Sequence, residues 1–247
     1  MSPLFTIIHE DANLLVVSKP AGLVCHPTKG DQYSSLISRV RLHLGPAARP
    51  HLVNRLDRET SGLVLVAKNR TTARDLHTLI EKRNLTKRYL AIVRGWPAQN
   101  GFEVDQPLLR QGTIAPSKIW LKQAVHASGY PSRTRFRVRN RFENLHGQFA
   151  LLECEPLTGR THQIRVHLAF SGHPIVGDKI YGPNENCYLE FIETGWTPTL
   201  AQQLLLDRHA LHAKSLAFAW GSEHFRFDSP LPEDLVAFCR LEQKTEK

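Results

Sequence analysis

The sequence predicts an α+β fold in which strands and helices are mixed along the chain. Apolar residues make up 41% of the 247 residues and charged residues 22%, which is enough for a hydrophobic core and argues against global disorder. Short apolar runs of strand length, such as residues 63–67, occur beside segments with helical spacing, such as residues 71–83. These segments do not follow the regular βαβ alternation of a doubly wound fold.

Strands are predicted where branched apolar residues run together, and helices where apolar residues recur every three or four positions. The N-terminal elements are strands at 5–8 and 14–17 around a turn at 11–13, a helix at 34–44, a buried strand at 63–67, a helix at 71–83 and a strand at 87–93. The first two strands, separated by a short polar turn, are expected to form a hairpin.

A second group of elements follows residue 95. It comprises an insertion or long connection at 96–118, strands at 133–141 and 149–154, a helix at 161–171, strands at 216–220 and 224–227, and a frayed tail at 241–247. The 96–118 segment has three prolines, three glutamines and weak periodicity. Thr161 is the expected cap of the helix. Residues 1–240 are therefore expected to form a single domain.

Arginine recurs at every second position in the predicted strand at 133–141. Because strand side chains alternate between two faces, Arg135, Arg137 and Arg139 are expected on one face with the apolar residues on the other. An arginine-lined face can bind phosphates bidentately. The alternative is a solvated strand face without a ligand.

The chain is basic, with 32 Lys and Arg against 23 acidic residues and a net charge of +9. This balance favours a nucleic-acid partner, the alternative being a merely basic surface. The four cysteines are scattered without a C-x-x-C pair, which argues against a zinc cluster or a disulfide framework and favours reduced thiols in the cytoplasm. No signal peptide and no membrane-length apolar run are evident.

The most informative segment is His51-Leu-Val-Asn-Arg-Leu-Asp-Arg-Glu-Thr-Ser-Gly62. Asp57 lies between Arg55 and Arg58, and flanking guanidiniums favour an ionised carboxylate. The buried strand at 63–67 follows directly. A charged loop attached to a buried strand is suited to presenting a reactive carboxylate.

Arg55-Leu-Asp-x-x-Thr-Ser-Gly62 resembles the active-site signature of the RluA-like family of RNA pseudouridine synthases. That family's pattern begins with histidine, where this chain has Asn54. Further segments in the expected order support the resemblance: Lys19-Pro-Ala-Gly-Leu-Val-Cys-His26, Lys87-Arg-Tyr-Leu-Ala, Gly159-Arg-Thr-His-Gln-Ile-Arg-Val-His167, and the group formed by His173 to Gly182 and Leu211 to Phe218. The last group is expected to be mainly structural.

The resemblance implies a mixed, largely antiparallel central sheet flanked by helices and loops. It also implies that Asp57 is the catalytic carboxylate, acting as a nucleophile or as a base. Arg165 would pair with Asp57, and Tyr89 would stack on the everted uridine, the alternative being an ordinary buried strand tyrosine. Arg55 would fill the space that the base leaves.

Several further residues are expected to contact the RNA. For Lys19 a structural role in a turn is an equal alternative, and a metal site at His162 and His167 is disfavoured because their five-residue spacing does not place both on one helical face. The expected RNA contacts are Arg55, Arg58, Lys19, Arg160, His162, Arg135, Arg137 and Arg139.

The predicted function is isomerisation of specific uridines in ribosomal or transfer RNA, without a metal or organic cofactor. Two alternatives are a non-catalytic RNA-binding module and a nuclease that uses some of the 13 histidines. Related synthases often carry an N-terminal S4 domain, and because the core begins near residue 5, none is expected here. The enzyme is expected to act as a cytoplasmic monomer with no membrane association.

Overall fold

The computed structural model describes residues 5–27 and 35–240, which form twelve strands and seven helices. The strands are β1 (Thr6–Glu10), β2 (Leu14–Lys19), β3 (His51–Leu52), β4 (Ser61–Ala67), β5 (Leu85–Arg94), β6 (Gly101–Asp105), β7 (Leu108–Arg110), β8 (Gln123–Val125), β9 (Arg133–Asn144), β10 (Gly147–Pro156), β11 (Leu211–Trp220) and β12 (Glu223–Asp228). The helices are α1 (Leu36–Leu44), α2 (Arg70–Glu81), α3 (Gln111–Ile114), α4 (Gln163–Phe170), α5 (Asn186–Thr194), α6 (Pro198–Leu204) and α7 (Glu233–Arg240).

The chain divides into two compact units and passes from the first to the second within β5, between Arg88 and Tyr89. The first unit also takes in residues 212–231, and the second takes in residues after 231. In both units the strands pair mainly antiparallel, and helices accompany them. The α+β prediction is confirmed.

In the first unit the strands pair in the order β1, β2, β4, β11, β12, and β3 also pairs with β4. β4 and β11 are parallel, while the other pairs are antiparallel. All seven residues of β4 are buried, as its continuous run of branched residues predicts. Ala73 and Leu76 of α2 pack in the same apolar core as Leu63 and Leu65. This core holds the strand that follows Asp57.

In the second unit β5, β10, β9 and β6 form consecutive antiparallel pairs, and β7 and β8 form a separate hairpin. β6, β7 and α3 lie in the segment predicted as an insertion or long connection, so this part of the chain has regular structure. Val166 of α4 packs with Leu108, Ile119 and Ile180 in an apolar cluster that joins the hairpin to the helix.

The predicted start of α4 is wrong by two residues. The residue that precedes the helix is His162, which has a left-handed backbone with a φ of 56°, and Thr161 is exposed and does not cap the helix. The side chain of Gln163 holds the turn before the helix, because its Oε1 accepts from the Arg160 amide at 3.0 Å and from the Thr158 hydroxyl at 2.7 Å.

Candidate active site

Asp57 lies in a short loop that joins β3 to β4. Arg55 and Arg58 are exposed, Leu56 is buried and Asp57 is half-buried. The backbone amide of Thr60 donates to the carbonyl of Asp57 at 3.2 Å, which closes a turn directly before β4. The loop therefore presents two exposed guanidiniums and a partly accessible carboxylate from the end of a buried strand.

Lys19, the last residue of β2, stabilises the Asp57 loop through hydrogen bonds from its side chain. Its side chain is fully buried, and its ammonium donates to the carbonyls of Pro20 and Leu23 at 2.8 Å and of Arg58 at 3.0 Å. An ammonium has three N–H donors, so these bonds match its capacity. The phosphate contact expected for Lys19 is not compatible with this geometry. The structural alternative describes the residue, which ties the Lys-Pro-x-Gly turn to the Asp57 loop.

Two further contacts hold the backbone on either side of Asp57. The amide of Gly22 donates to the carbonyl of Arg58 at 2.9 Å. The Cys25 thiol lies 3.4 Å from the Leu56 carbonyl and 3.3 Å from the Leu56 amide, so it both donates to and accepts from that peptide. Burial raises the pKa of Cys25, which keeps the thiol neutral. Asp57 thus lies between two residues whose backbones are both anchored.

The Thr-Ser-Gly end of the loop meets β11. Ser61 and Gly62 are in parallel register with His212 and Ala213. The His212 ring lies between the Ser61 hydroxyl, 3.0 Å from Nδ1, and the Ser229 carbonyl, 3.3 Å from Nε2. A carbonyl only accepts, so Nε2 carries a hydrogen, and in a neutral imidazole Nδ1 then accepts from the Ser61 hydroxyl. The motif's serine and glycine therefore have structural roles.

Gly62→Ala is expected to destabilise the protein by at least about 2 kcal/mol, because an L side chain is strained at positive φ and also clashes here. The φ of Gly62 is +108°, and a Cβ atom on it would lie 2.3 Å from the Ala213 carbonyl oxygen. Gly45→Ala is the matched control, since Gly45 has a φ of +90° but open space around the same position. Urea unfolding measures both, and equal losses of stability would refute the close-approach argument.

Asn54 fixes the start of the loop. Its side chain is buried, with Nδ2 donating to the Leu63 carbonyl at 3.2 Å and Oδ1 accepting from the Leu65 amide at 2.8 Å. Asn54 stands where the resembling family has histidine. Here the asparagine side chain bonds to the backbone of β4.

In the second unit, Arg165 on α4 forms a buried ion pair with Asp178. Arg165 Nε lies 2.7 Å from Oδ2 and Nη2 lies 2.8 Å from Oδ1, and both residues are almost inaccessible to solvent. Burial alone would raise the pKa of Asp178, but the charge and hydrogen bonds of Arg165 outweigh it and hold that pKa well below its usual range. The ring of Tyr181 lies 5.0 Å from the guanidinium. The pair fixes the Nε/Nη2 edge of Arg165 in one orientation.

His162 is tied to the β7–β8 hairpin through Tyr181. The Tyr181 hydroxyl accepts from the Gln123 amide at 2.8 Å and lies 2.8 Å from Nδ1 of His162. The hydroxyl can therefore donate its own hydrogen to Nδ1, which leaves the hydrogen of a neutral imidazole on Nε2. Arg160 is exposed two residues earlier, with Nε 3.3 Å from the Pro131 carbonyl.

Tyr89 is the first residue of the second unit. It is buried, with 9% of its surface exposed, and pairs with Cys154 across β5 and β10. This position is compatible with stacking on the target base and with an ordinary buried strand tyrosine, so both remain predictions.

β9 is the strand that carries the recurring arginines, and we call it the arginine strand. Its alternation is only partly regular. Arg135 and Arg137 are exposed and alternate with buried residues, as predicted, but a bulge at Arg139 shifts the register against β10. Arg135 Nε lies 3.0 Å from a carboxylate oxygen of Glu103, and Arg139 is paired with Glu153. Within the described ranges Arg137 has no carboxylate partner, so it is the arginine of this group best suited to an external phosphate.

No group of three or more His, Cys, Asp or Glu side chains that could hold a metal ion occurs within residues 5–27 and 35–240. In the same residues, no helix has the length and apolar character needed to cross a membrane.

A model of the family described as RNA pseudouridylate synthase matches residues 13–170. The chain belongs to this family. The match contains Asp57, Tyr89 and Arg165. The synthase is 35% identical, over 95% of its own length and 72% of the relative's, to ribosomal large subunit pseudouridine synthase D of Zymomonas mobilis. It is 39% identical to ribosomal large subunit pseudouridine synthase C of Escherichia coli K12, with coverage of 93% and 67%. It is an isomerase.

Solved structures of the family agree with the fold of this synthase. Human RNA pseudouridylate synthase domain containing 1 superposes with a TM-score of 0.72 at 25% identity, covering 95% of this chain and 87% of that one. Human RNA pseudouridylate synthase domain containing 4 gives 0.71 at 27% identity, with coverage of 96% and 94%. The predicted pseudouridine synthase fold is confirmed.

Sequence reasoning missed two residues of this synthase that hold others in place. Asp178 lies in the segment from His173 to Gly182, which was expected to be mainly structural, yet it binds the guanidinium of Arg165. Cys25 was considered only as one of four scattered thiols, yet its thiol is hydrogen-bonded to both the carbonyl and the amide of Leu56. Both residues lie in segments that match the family pattern, and this match was the signal that could have identified them.

Proposed function

We propose that this synthase converts specific uridines of large-subunit ribosomal RNA to pseudouridine, with Asp57 as the catalytic carboxylate. The observation that carries the proposal is the anchored Asp57 loop, in which Lys19, Gly22 and Cys25 fix the peptides on both sides of a partly accessible carboxylate. Catalysis requires such positioning, because a reactive group displaced by about 1 Å loses about a hundredfold in rate. The names of the bacterial relatives favour ribosomal over transfer RNA.

The reaction requires the uridine to leave its helix or stack before a side chain can reach it. Arg55, exposed two residues before Asp57, fills the vacated space. The glycosidic N–C bond then breaks, the base turns, and a C–C bond forms between C5 and the same sugar carbon. The C5 hydrogen leaves as a proton and the base regains one on nitrogen, so no oxidant or reductant is consumed.

Asp57 acts on the everted nucleotide either as a nucleophile or as the base that takes a proton from the ribose. Arg165 is proposed as the cation that keeps this carboxylate ionised. Its rigid orientation is maintained by Asp178 at 2.7 and 2.8 Å. Tyr89 is proposed to stack on the target base.

The direct test is release of tritium from large-subunit ribosomal RNA transcribed with uridine labelled at C5. A synthase releases tritium as water because the C5–H bond is broken in every turnover. Binding without release would support an RNA-binding module, and strand scission would support a nuclease. Either result would overturn the proposal. The proposed substrate also implies that the enzyme acts in the cytoplasm, and we propose that it does so as a monomer.

We propose further RNA backbone contacts from exposed basic side chains: Arg58, Arg160, His162, Arg135, Arg137 and Arg139. Arg137→Ala is expected to weaken RNA binding and to reduce the slope of log affinity against log salt by about 1, as for loss of one phosphate contact. Arg139→Ala is expected to have a smaller effect, because Arg139 is already paired with Glu153. If joint neutralisation of Arg135, Arg137 and Arg139 changes neither the RNA affinity nor the slope of log affinity against log salt, these three arginines do not contact the RNA backbone.

A further inference from the structure

The second unit exposes two aromatic rings, each covered on one side by an arginine. Trp120 is 73% exposed, and the Arg110 guanidinium lies 3.9 Å from its ring centre. Tyr130 is 65% exposed, and the Arg160 guanidinium lies 5.5 Å from its ring centre. We name these four residues the arginine–aromatic surface. Single exposed aromatic residues are ordinary, but two with the same arginine arrangement need an explanation.

The backbone holds Trp120 outward in a defined position. Ile119, the residue before it, is buried in the apolar cluster beside α4. The hydroxyl of Ser117 donates to the Ile119 carbonyl at 3.1 Å and accepts from the Ile119 amide at 3.2 Å. The backbone amide of Lys122 donates a hydrogen bond to the same carbonyl at 3.1 Å, which closes the turn. The loop is therefore anchored on its inner side, and the exposure of Trp120 follows from this anchoring.

Tyr130 is fixed by the same hairpin. It exchanges two backbone hydrogen bonds with Leu108 of β7, at 2.8 and 3.0 Å. This close approach requires Gly129, because a Cβ atom there would lie 2.6 Å from the Leu108 backbone. Arg160, which covers Tyr130, belongs to the Gly-Arg-Thr-His turn that precedes α4. The surface thus connects the hairpin to residues already proposed to contact RNA.

The chemistry of the surface fits unpaired nucleotides. A guanidinium placed over one face of a ring leaves the opposite face for a base, and its N–H donors can bind a phosphate. Exposed Lys118 adds positive charge in the loop that carries Trp120. An apolar protein partner would not need a cation on each ring, and a double helix keeps its base faces inside the stack.

We propose that Trp120 and Tyr130 are stacking platforms for single-stranded nucleotides of the substrate RNA, with Arg110 and Arg160 engaging the phosphates. This inference rests on the proposed function, and it adds that the enzyme prefers RNA with unpaired segments. The surface contributes to binding and takes no part in bond breaking.

The test compares the affinities of Trp120→Ala, Tyr130→Ala and Leu121→Ala for a fluorescein-labelled unstructured RNA and for the same sequence closed in a duplex. Each of the first two variants is expected to bind the single strand at least about fivefold more weakly, as for loss of one stacked base, with little change for the duplex. Leu121→Ala is the matched control, since Leu121 is adjacent to Trp120 and 55% exposed but carries no ring. Its affinity is expected to stay at the wild-type value.

Trp120→Phe provides an independent readout. It is expected to retain most of the single-strand affinity, while the quenching of tryptophan fluorescence on RNA binding falls by the contribution of Trp120, one of four tryptophans. Unchanged single-strand affinity in both alanine variants would overturn the proposal and leave a protein partner as the explanation. An equal loss for single strand and duplex would also overturn it. Tritium release separates this test from the proposed function: Leu121→Ala should keep the wild-type rate, whereas failure of the wild-type enzyme to release tritium refutes the synthase assignment alone.

Discussion

Asp57→Ala is expected to abolish tritium release from C5-labelled ribosomal RNA, with a fall of at least about a hundredfold in the turnover rate. Whether Asp57 attacks the nucleotide or removes a proton, the variant lacks the only group proposed to do so. The fall should appear in kcat at saturating RNA. RNA affinity should change little, because the exposed arginines that flank Asp57 remain.

The controls separate chemistry from folding. Asp57→Asn keeps the side-chain shape and is expected to be as inactive as Asp57→Ala. Glu81→Gln, which removes an exposed carboxylate from α2 of the same unit, is expected to keep full activity. Because the Asp57 peptides are anchored through Leu56 and Arg58, neither substitution at Asp57 should unfold the loop. Full activity in Asp57→Ala would show that the catalytic assignment is wrong.

The local part of this architecture could be predicted from the sequence because its signals are local. The buried strand β4 follows from a run of branched residues, and the charged loop before it follows from three ionised groups within four positions. The hairpin of β1 and β2 follows from a short polar turn between apolar segments. The family resemblance contributed the rest of the expected site, because no local pattern connects Asp57 with Arg165.

The sequence could not decide whether Lys19 faces solvent or the interior. Its burial depends on the carbonyls of Arg58 and Leu23 converging beneath β2, and that convergence arises from pairing between distant parts of the chain. Thr161 was a reasonable cap by residue type. His162, however, adopts a left-handed backbone, which is uncommon for residues other than glycine and which no local pattern predicted.

The arginine strand shows a related limit. A period of two predicts one arginine face, but the bulge at Arg139 interrupts it, and carboxylates on β6 and β10 occupy some of the guanidiniums. Bulges and cross-strand partners depend on register, which a single strand does not encode. Arg137 stands out only after those pairs are known.

Asp178→Asn is expected to lower the free energy of unfolding by about 3–5 kcal/mol, because it leaves the buried Arg165 guanidinium without a counter-charge. Asp234→Asn is the matched control. Arg208 and Asp234 form the same two-bond arrangement in the second unit, at 2.6 and 2.9 Å, but the Asp234 side chain is 43% exposed. Water can therefore replace part of the lost interaction, and the expected cost is about 1 kcal/mol. Urea unfolding at neutral pH measures both.

The pH dependence gives the second readout. The folded pKa of Asp178 lies below its usual value, so its contribution to stability is complete above the unfolded value of about 4 and is lost as the pH falls further. The difference in the free energy of unfolding between wild type and Asp178→Asn should therefore be largest at neutral pH and should become smaller below about pH 4.

Arg165 is proposed to hold the Asp57 carboxylate in its charged form, so loss of Asp178 should also reduce the turnover rate at temperatures where the variant stays folded. The RNA affinity should fall less than the rate, as befits a positioning residue. Equal losses of stability in Asp178→Asn and Asp234→Asn, with wild-type turnover in both, would mean that the buried pair neither stabilises the fold as argued nor orients Arg165 for catalysis.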